Sequence, residues 1–158
     1  MCVVAGGLLR RFVQRIGRRP HEPAARPARG ARPLGEHDPF EVRYEPDLDG
    51  DADPGEVVWG WVPFEEDPTQ GKDRPLAVIG RRNGRLVAVP LTSKRDERDP
   101  QVEVGTGAWD RERRPSYARV DRVLHIAPGD VRREGSILPK DRFDDVVDAV
   151  RARYRVVG

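Results

Sequence analysis

Short apolar runs separated by polar turns fill the last two thirds of the chain, and each run predicts one element. Val57 to Phe64 is rich in β-branched and aromatic residues and reads as a strand. Glu65 to Asp73 carries Pro, Gly and charges, so it reads as a loop. Pro75 to Gly80 is continuously apolar, the pattern of a strand buried on both faces. Asn83-Gly84 is a tight-turn signal, so that strand and Arg85 to Leu91 are expected to form a hairpin. Arg95 to Pro100 is a charged loop. Gln101 to Val104 is a short strand ahead of Gly105-Thr106-Gly107, and Arg119 to Ile126 is predicted as one long strand. Val131 to Glu134 is expected to form a single helical turn stopped by Gly135.

Asp141 to Tyr154 changes period. Phe143, Val146, Val147, Val150 and Tyr154 fall on one helical stripe. Asp141, Asp144 and Asp145 sit in its first turn and Arg151, Arg153 and Arg155 in its last, which suits the helix dipole. Short strands closed by one helix predict a mainly β fold with a C-terminal helix, built as a small, strongly bent barrel. Such barrels leave polar residues at their rims, where loops carry function.

The N-terminal third has no such pattern. Residues 4–19 are amphipathic at helical spacing, with Arg11, Arg15, Arg18 and Arg19 opposite the apolar face. Residues 20–54 read as a linker, because prolines from Pro20 to Pro54 interrupt any helix and few apolar residues are available to bury. We therefore divide the chain into a disordered extension over 1–53 and a globular domain over 54–158. Asp47 to Asp53 alternates acids as a calcium loop does, but no glutamate closes it and no helices flank it.

Charge sharpens this division. Residues 1–35 hold eight arginines and one acid, residues 36–56 nine acids and one base, and residues 57–158 hold 20 bases and 17 acids. The whole-chain net charge of +2 hides that asymmetry. The acidic segment is expected either to keep the linker solvated or to lie over a basic groove of the domain. Only three of the 29 bases are lysine, a bias that suits bidentate phosphate contacts. The single cysteine, Cys2, permits no internal disulfide, which fits a cytoplasmic chain. No apolar run approaches the roughly 20 residues of a membrane span, and no signal peptide is expected, because Arg10 and Arg11 follow the apolar start instead of preceding it. His21, His37 and His125 show no ligand spacing, so no metal or other cofactor is expected.

Five blocks resemble a known family. Gly55-Glu56-Val57-Val58-Trp59 looks like the opening strand of PemK/MazF toxins, and Asp67-Pro68-Thr69, Gly71 and Arg74-Pro75 look like the family's first loop and second strand. Val89-Pro90-Leu91-Thr92-Ser93 is similar to its third strand, and Arg119-Val120-Asp121-Arg122-Val123 to its later Arg-x-Asp strand. Arg132-Arg133-Glu134-Gly135 and the final helix match its close. The likeness covers roughly residues 54–157. It implies an SH3-like barrel that dimerises, cleaves single-stranded RNA without a metal, and pairs with an antitoxin, the complex then binding operator DNA. It also implies site residues: Arg74 and Thr92 as in the MazF branch, and Arg119 and Asp121 as in the Kid/PemK branch. Gln70, Lys72, Ser93 and Lys94 are the expected RNA contacts.

Such residues suit attack of an RNA 2′-OH on the adjacent phosphorus, which leaves a 2′,3′-cyclic phosphate. Asp121 would serve as the base if barrel walls raise its pKa. Arg74 and Arg119 would stabilise phosphorane charge, and Thr92 or Ser93 would donate to a phosphate oxygen. Trp59 reads as core, while Trp61 and Trp109 fit either core or base stacking. The loop after Gly71 lacks the family's usual Glu or His-Glu, leaving Asp73 or Glu66 to replace it. A barrel that binds nucleic acid or protein without catalysis is the alternative.

Overall fold

In the computed structural model, which describes residues 30–158, the chain forms a curled half-barrel of ten strands with one helix against it. In chain order the strands are β1 (Arg32–Pro33), β2 (Phe40–Val42), β3 (Glu56–Pro63), β4 (Gly71–Arg82), β5 (Arg85–Thr92), β6 (Gln101–Gly105), β7 (Ser116–Arg119), β8 (Leu124–Ile126), β9 (Arg132–Ile137) and β10 (Val156–Val157). The helix α1 (Lys140–Arg151) lies between β9 and β10.

β4 is the spine. Its first half pairs with β3 from Gly71↔Pro63 to Ala77↔Val57, and its second half with β5 from Leu76↔Pro90 to Arg82↔Arg85. A bulge between Val78 and Gly80 bends the strand where it changes neighbours. Leu76 and Val78 face one apolar cluster, and Ala77 and Ile79 the other. The strand is thus buried on both faces, as its composition predicts. The Asn83-Gly84 turn also holds, with φ of 49° and 73° at its two central residues. On the larger cluster lies α1, whose Phe143, Val146, Val147 and Val150 are buried along one stripe.

Four elements depart from the sequence expectation. β4 begins at Gly71, so the loop after β3 is shorter than Glu65–Asp73. Arg119 to Ile126 is not one strand. β7 pairs with the end of β5 (Thr92↔Tyr117) and β8 with its start (Leu86↔Ile126), so the chain must turn between them. That turn is closed by the Arg122 N–H donating to the Arg119 carbonyl at 3.1 Å. Residues 131–134 are not helical; β9 pairs there with β3, and the helical turn falls earlier, at Pro128–Asp130. α1 stops at Arg151, three residues short of Tyr154, because the chain must leave the helix to place β10 parallel to β2.

The largest correction concerns the linker. The described part of residues 20–54 contributes two short strands to the sheet: β1 pairs with β8, and β2 with β4 and β10. Ala31, Leu34 and Phe40 are buried, Phe40 to 1% exposure. β2 can approach because Gly80 has no side chain; a Cβ there would stand 2.0 Å from the Glu41 carbonyl oxygen. Five of the nine acids of residues 36–56 pair with arginines: Glu36 with Arg153, Asp38 with Arg82, Glu41 and Glu45 with Arg43, and Asp53 with Arg81. The amphipathic stretch 4–19 lies outside the described residues. Among the described residues no helix is long and apolar enough to cross a membrane.

Candidate functional site

Arg74 enters on β4, two residues before Leu76, and Thr92 ends β5, two residues after Pro90, the partner of Leu76. Residues two apart share a strand face, so Arg74 and Thr92 point the same way. Thr92 in turn pairs with Tyr117, two residues before Arg119. The three side chains therefore converge. Arg74 and Thr92 line both a cleft of about 450 Å³ and an adjoining one of about 300 Å³, and Arg119 lines the second.

Lys72 and Ser93 line the first cleft and Lys94 the second. Gln70 joins neither: its amide donates to Asp67 at 3.0 Å within the β3–β4 loop. The Lys94 backbone N–H donates to the Thr92 hydroxyl at 3.1 Å, which leaves the threonine proton free to donate into the cleft. Gln101 fixes the loop after Thr92 from both sides, donating to the Lys94 carbonyl at 3.3 Å and accepting from the Asp96 N–H at 3.1 Å.

The three arginines of this region differ in their partners. Arg119 is saturated. It grips Asp121 through two bonds of 3.1 and 2.9 Å, and meets Glu65 and Asp99 at 3.3 Å each. The Asp121 bond, more than any other influence, drives its pKa above the ordinary arginine value. Arg122 donates to the Pro63 carbonyl, and burial holds its pKa down. Arg74 is half-buried and, among the described residues, makes no hydrogen bond or ion pair. Burial, and then repulsion from Arg122 and Arg119, lowers its pKa, with Glu66 opposing them. It remains a cation, since guanidinium titrates above about 12. An anion beside a half-buried cation so placed would be favoured, since it would offset both the burial and the repulsion.

Asp121 is placed differently from expectation. Burial pushes its carboxyl up, but the bond from Arg119 and that residue's charge outweigh burial and hold the pKa below the ordinary carboxylate value. It lines a third cavity beside Phe64 and Tyr154, and neither of the two clefts. Asp121 thus reads as the anchor of Arg119, and the expected rise of its pKa does not occur. The residues proposed to stand in for the missing acidic helper also separate: Asp73 is tied to Arg132 at 2.9 Å, whereas Glu66 acts on Arg74.

One tryptophan departs from its expected place in the core, and the two left open now have positions. Trp59 is part-exposed and lines the larger cleft. Trp109 is buried at 3% exposure, its indole N–H donating to Ser116 at 3.0 Å, and it pins the loop that walls that cleft. Trp61 is part-exposed and packs against Gly30 and Gly71. Arg114 and Arg132, which the sequence reading did not name as site residues, also line the larger cleft. Only the arginine bias hinted at them. Among the described residues no group of three or more His, Cys, Asp or Glu side chains could hold a metal ion, and the acidic run 47–53 is no exception.

The chain is thus a mainly β half-barrel with an open cleft, lined by a guanidinium that is unpaired among the described residues. Residues 53–153 match the family of PemK-like, MazF-like toxins of type II toxin-antitoxin systems, and the chain belongs to that family. No curated protein matches the chain. Membership in a toxin family implies an antitoxin partner.

Proposed function

We propose that this protein is a cytoplasmic endoribonuclease toxin that cleaves single-stranded RNA without a metal, through 2′-OH attack to a 2′,3′-cyclic phosphate. The observation that carries this reading is Arg74: a half-buried cation that lines both clefts, without an ion pair among the described residues, near a free threonine proton donor. A scissile phosphate seated there gains Arg74 and Thr92 as donors to its oxygens, and both strengthen as the phosphorane gathers charge. Arg119, held in place by Asp121, Glu65 and Asp99, shapes the second cleft beside Arg74. The strand flanking the cut follows Lys72 and Ser93 on one side and Lys94 on the other. The active unit is a homodimer, its antitoxin covers the clefts, and the toxin–antitoxin complex binds operator DNA.

One observation favours a second reading, a barrel that binds RNA without cutting it. Asp121, the residue expected to act as base, is held low and turned toward Arg119. Both readings meet one experiment. The purified chain with a long unstructured RNA and a chelator should yield discrete fragments ending in cyclic phosphate. Retained RNA binding with intact RNA at high protein concentration would leave the second reading in place. Light scattering should give roughly twice the 17.8 kDa chain mass; a monomer would remove the homodimer.

A further inference from the structure

A second set of arginines stands at the other end of the sheet. Arg82 pairs with Arg85 across β4 and β5, and two residues beyond Arg85, Val87 pairs with His125 of β8, which pairs with Arg32 of β1. Cross-strand partners and residues two apart share a face. The four side chains therefore form one row across four adjacent strands, along the rim of the larger apolar cluster. Arg74 and Arg82 lie eight residues apart on β4, so the row stands roughly 25 Å from the cleft at about 3.3 Å per strand residue.

The row is short of negative charge. Arg82 is balanced by Asp38 at 3.4 Å and also donates to the Pro39 carbonyl at 2.7 Å. Arg85 gives its Nε–H to His125 Nδ1 at 2.9 Å, and among the described residues neither Arg85 nor Arg32 has a carboxylate partner. That bond fixes the imidazole: Nδ1 accepts, so Nε2 carries the proton and is a donor. Burial first, then Arg85, Arg32 and Arg82, keep His125 below its ordinary pKa, with Asp38 alone opposing them.

We propose that this row is a second anion site, separate from the cleft, that takes a phosphomonoester dianion between Arg32, Arg85 and the Nε2–H of His125. The charges match. Two uncompensated guanidiniums equal the two charges of a phosphomonoester above its second pKa of about 6, whereas a phosphodiester or a side-chain carboxylate brings one. The donors match as well, since two guanidinium forks and one imidazole N–H suit the three terminal oxygens of a monoester. The ligand is free phosphate, a nucleotide or the 5′-phosphate of a nucleic acid. It is not the product of the proposed cleavage, which ends in a 5′-hydroxyl and a cyclic diester.

The test follows the His125 ring protons of the full chain by NMR through a pH titration, assigned by their loss in His125→Gln. An anion at this site stabilises the imidazolium, so it must move the pKa upward. Millimolar inorganic phosphate, adenosine 5′-monophosphate and a 5′-phosphorylated DNA oligomer should each raise it by about one unit or more. The same oligomer with a 5′-hydroxyl should leave it in place. Arg85→Gln should diminish the shift, and so should Arg32→Gln, a change at an exposed position that the fold tolerates. A response to the phosphorylated oligomer alone would support the site and assign it to nucleic acid ends. No shift with any of the three, an equal shift from the 5′-hydroxyl oligomer or from hexaglutamate, or a shift that survives Arg32→Gln would overturn the proposal. None of these ligands carries a cleavable RNA bond, so the result stands apart from the nuclease reading.

Discussion

Replacing Asp121 with asparagine removes the carboxylate that the Arg119 guanidinium grips with two hydrogen bonds, and the loss can be sized from the geometry. The two side chains are 15% and 21% exposed, between a surface pair worth under about 1 kcal/mol and a fully buried one whose breaking costs about 3–5 kcal/mol. Arg119 keeps Glu65 and Asp99, each at 3.3 Å, and asparagine retains one acceptor oxygen. The expected loss is about 2 kcal/mol, or roughly 6 °C in melting temperature for a chain of this size. Its pH dependence has a fixed sign. The folded pKa of Asp121 lies below its unfolded value of about 3.9, so the wild-type advantage is full above that value and fades as pH falls through the folded one. Urea unfolding of both proteins at neutral pH and near pH 3 measures this. Equal stability at neutral pH, or an advantage that grows on acidification, would refute the reasoning.

Other outcomes follow from the same contacts. Phe40→Ala should cost about 3–5 kcal/mol in urea unfolding, as a core truncation does, whereas a linker side chain would cost under about 0.5 kcal/mol. Gly80→Ala forces a Cβ against the Glu41 carbonyl, so hydrogen exchange should show the β2 amides opening before those of β3 and β5. Tyr154→Phe removes a hydroxyl that donates to the Asp121 carbonyl at 3.0 Å and accepts from the Val123 N–H at 3.3 Å. It should destabilise the chain by about 1–3 kcal/mol, and RNA cleavage should fall through a looser Arg119.

The barrel was legible where one strand carries its own burial pattern. The apolar run of β4, the Asn83-Gly84 turn and the stripe of α1 each state their environment locally. The departures all depend on partners distant in sequence. Residues 119–126 alternate like one strand, and only the need to pair with both ends of β5 breaks them. Residues 31–42 hold too few apolar side chains to announce strands, yet β10, whose residues pair with partners 116 positions earlier, supplies an edge for β2. The site follows the same rule. Arg74, Thr92 and Arg119 were readable as residues in a resembling pattern, but their partners were not. That Arg119 is saturated, Arg74 unpaired and Asp121 held low depends on which acids the turn after β7 and the loop after β3 bring near, and no local spacing encodes that.

The central claim is that Arg74 is held unpaired to receive a phosphate, and one variant tests it most directly. Arg74→Ala and, as a control on the outer face of α1, Arg151→Ala are compared with wild type for cleavage of an unstructured RNA in chelator and for thermal stability. Removing an unpaired, half-buried cation should leave the melting temperature unchanged or raise it, while cleavage falls by about 100-fold or more. Arg151→Ala should cleave as wild type does. An Arg74→Ala protein that is folded and cuts at the wild-type rate would contradict the account.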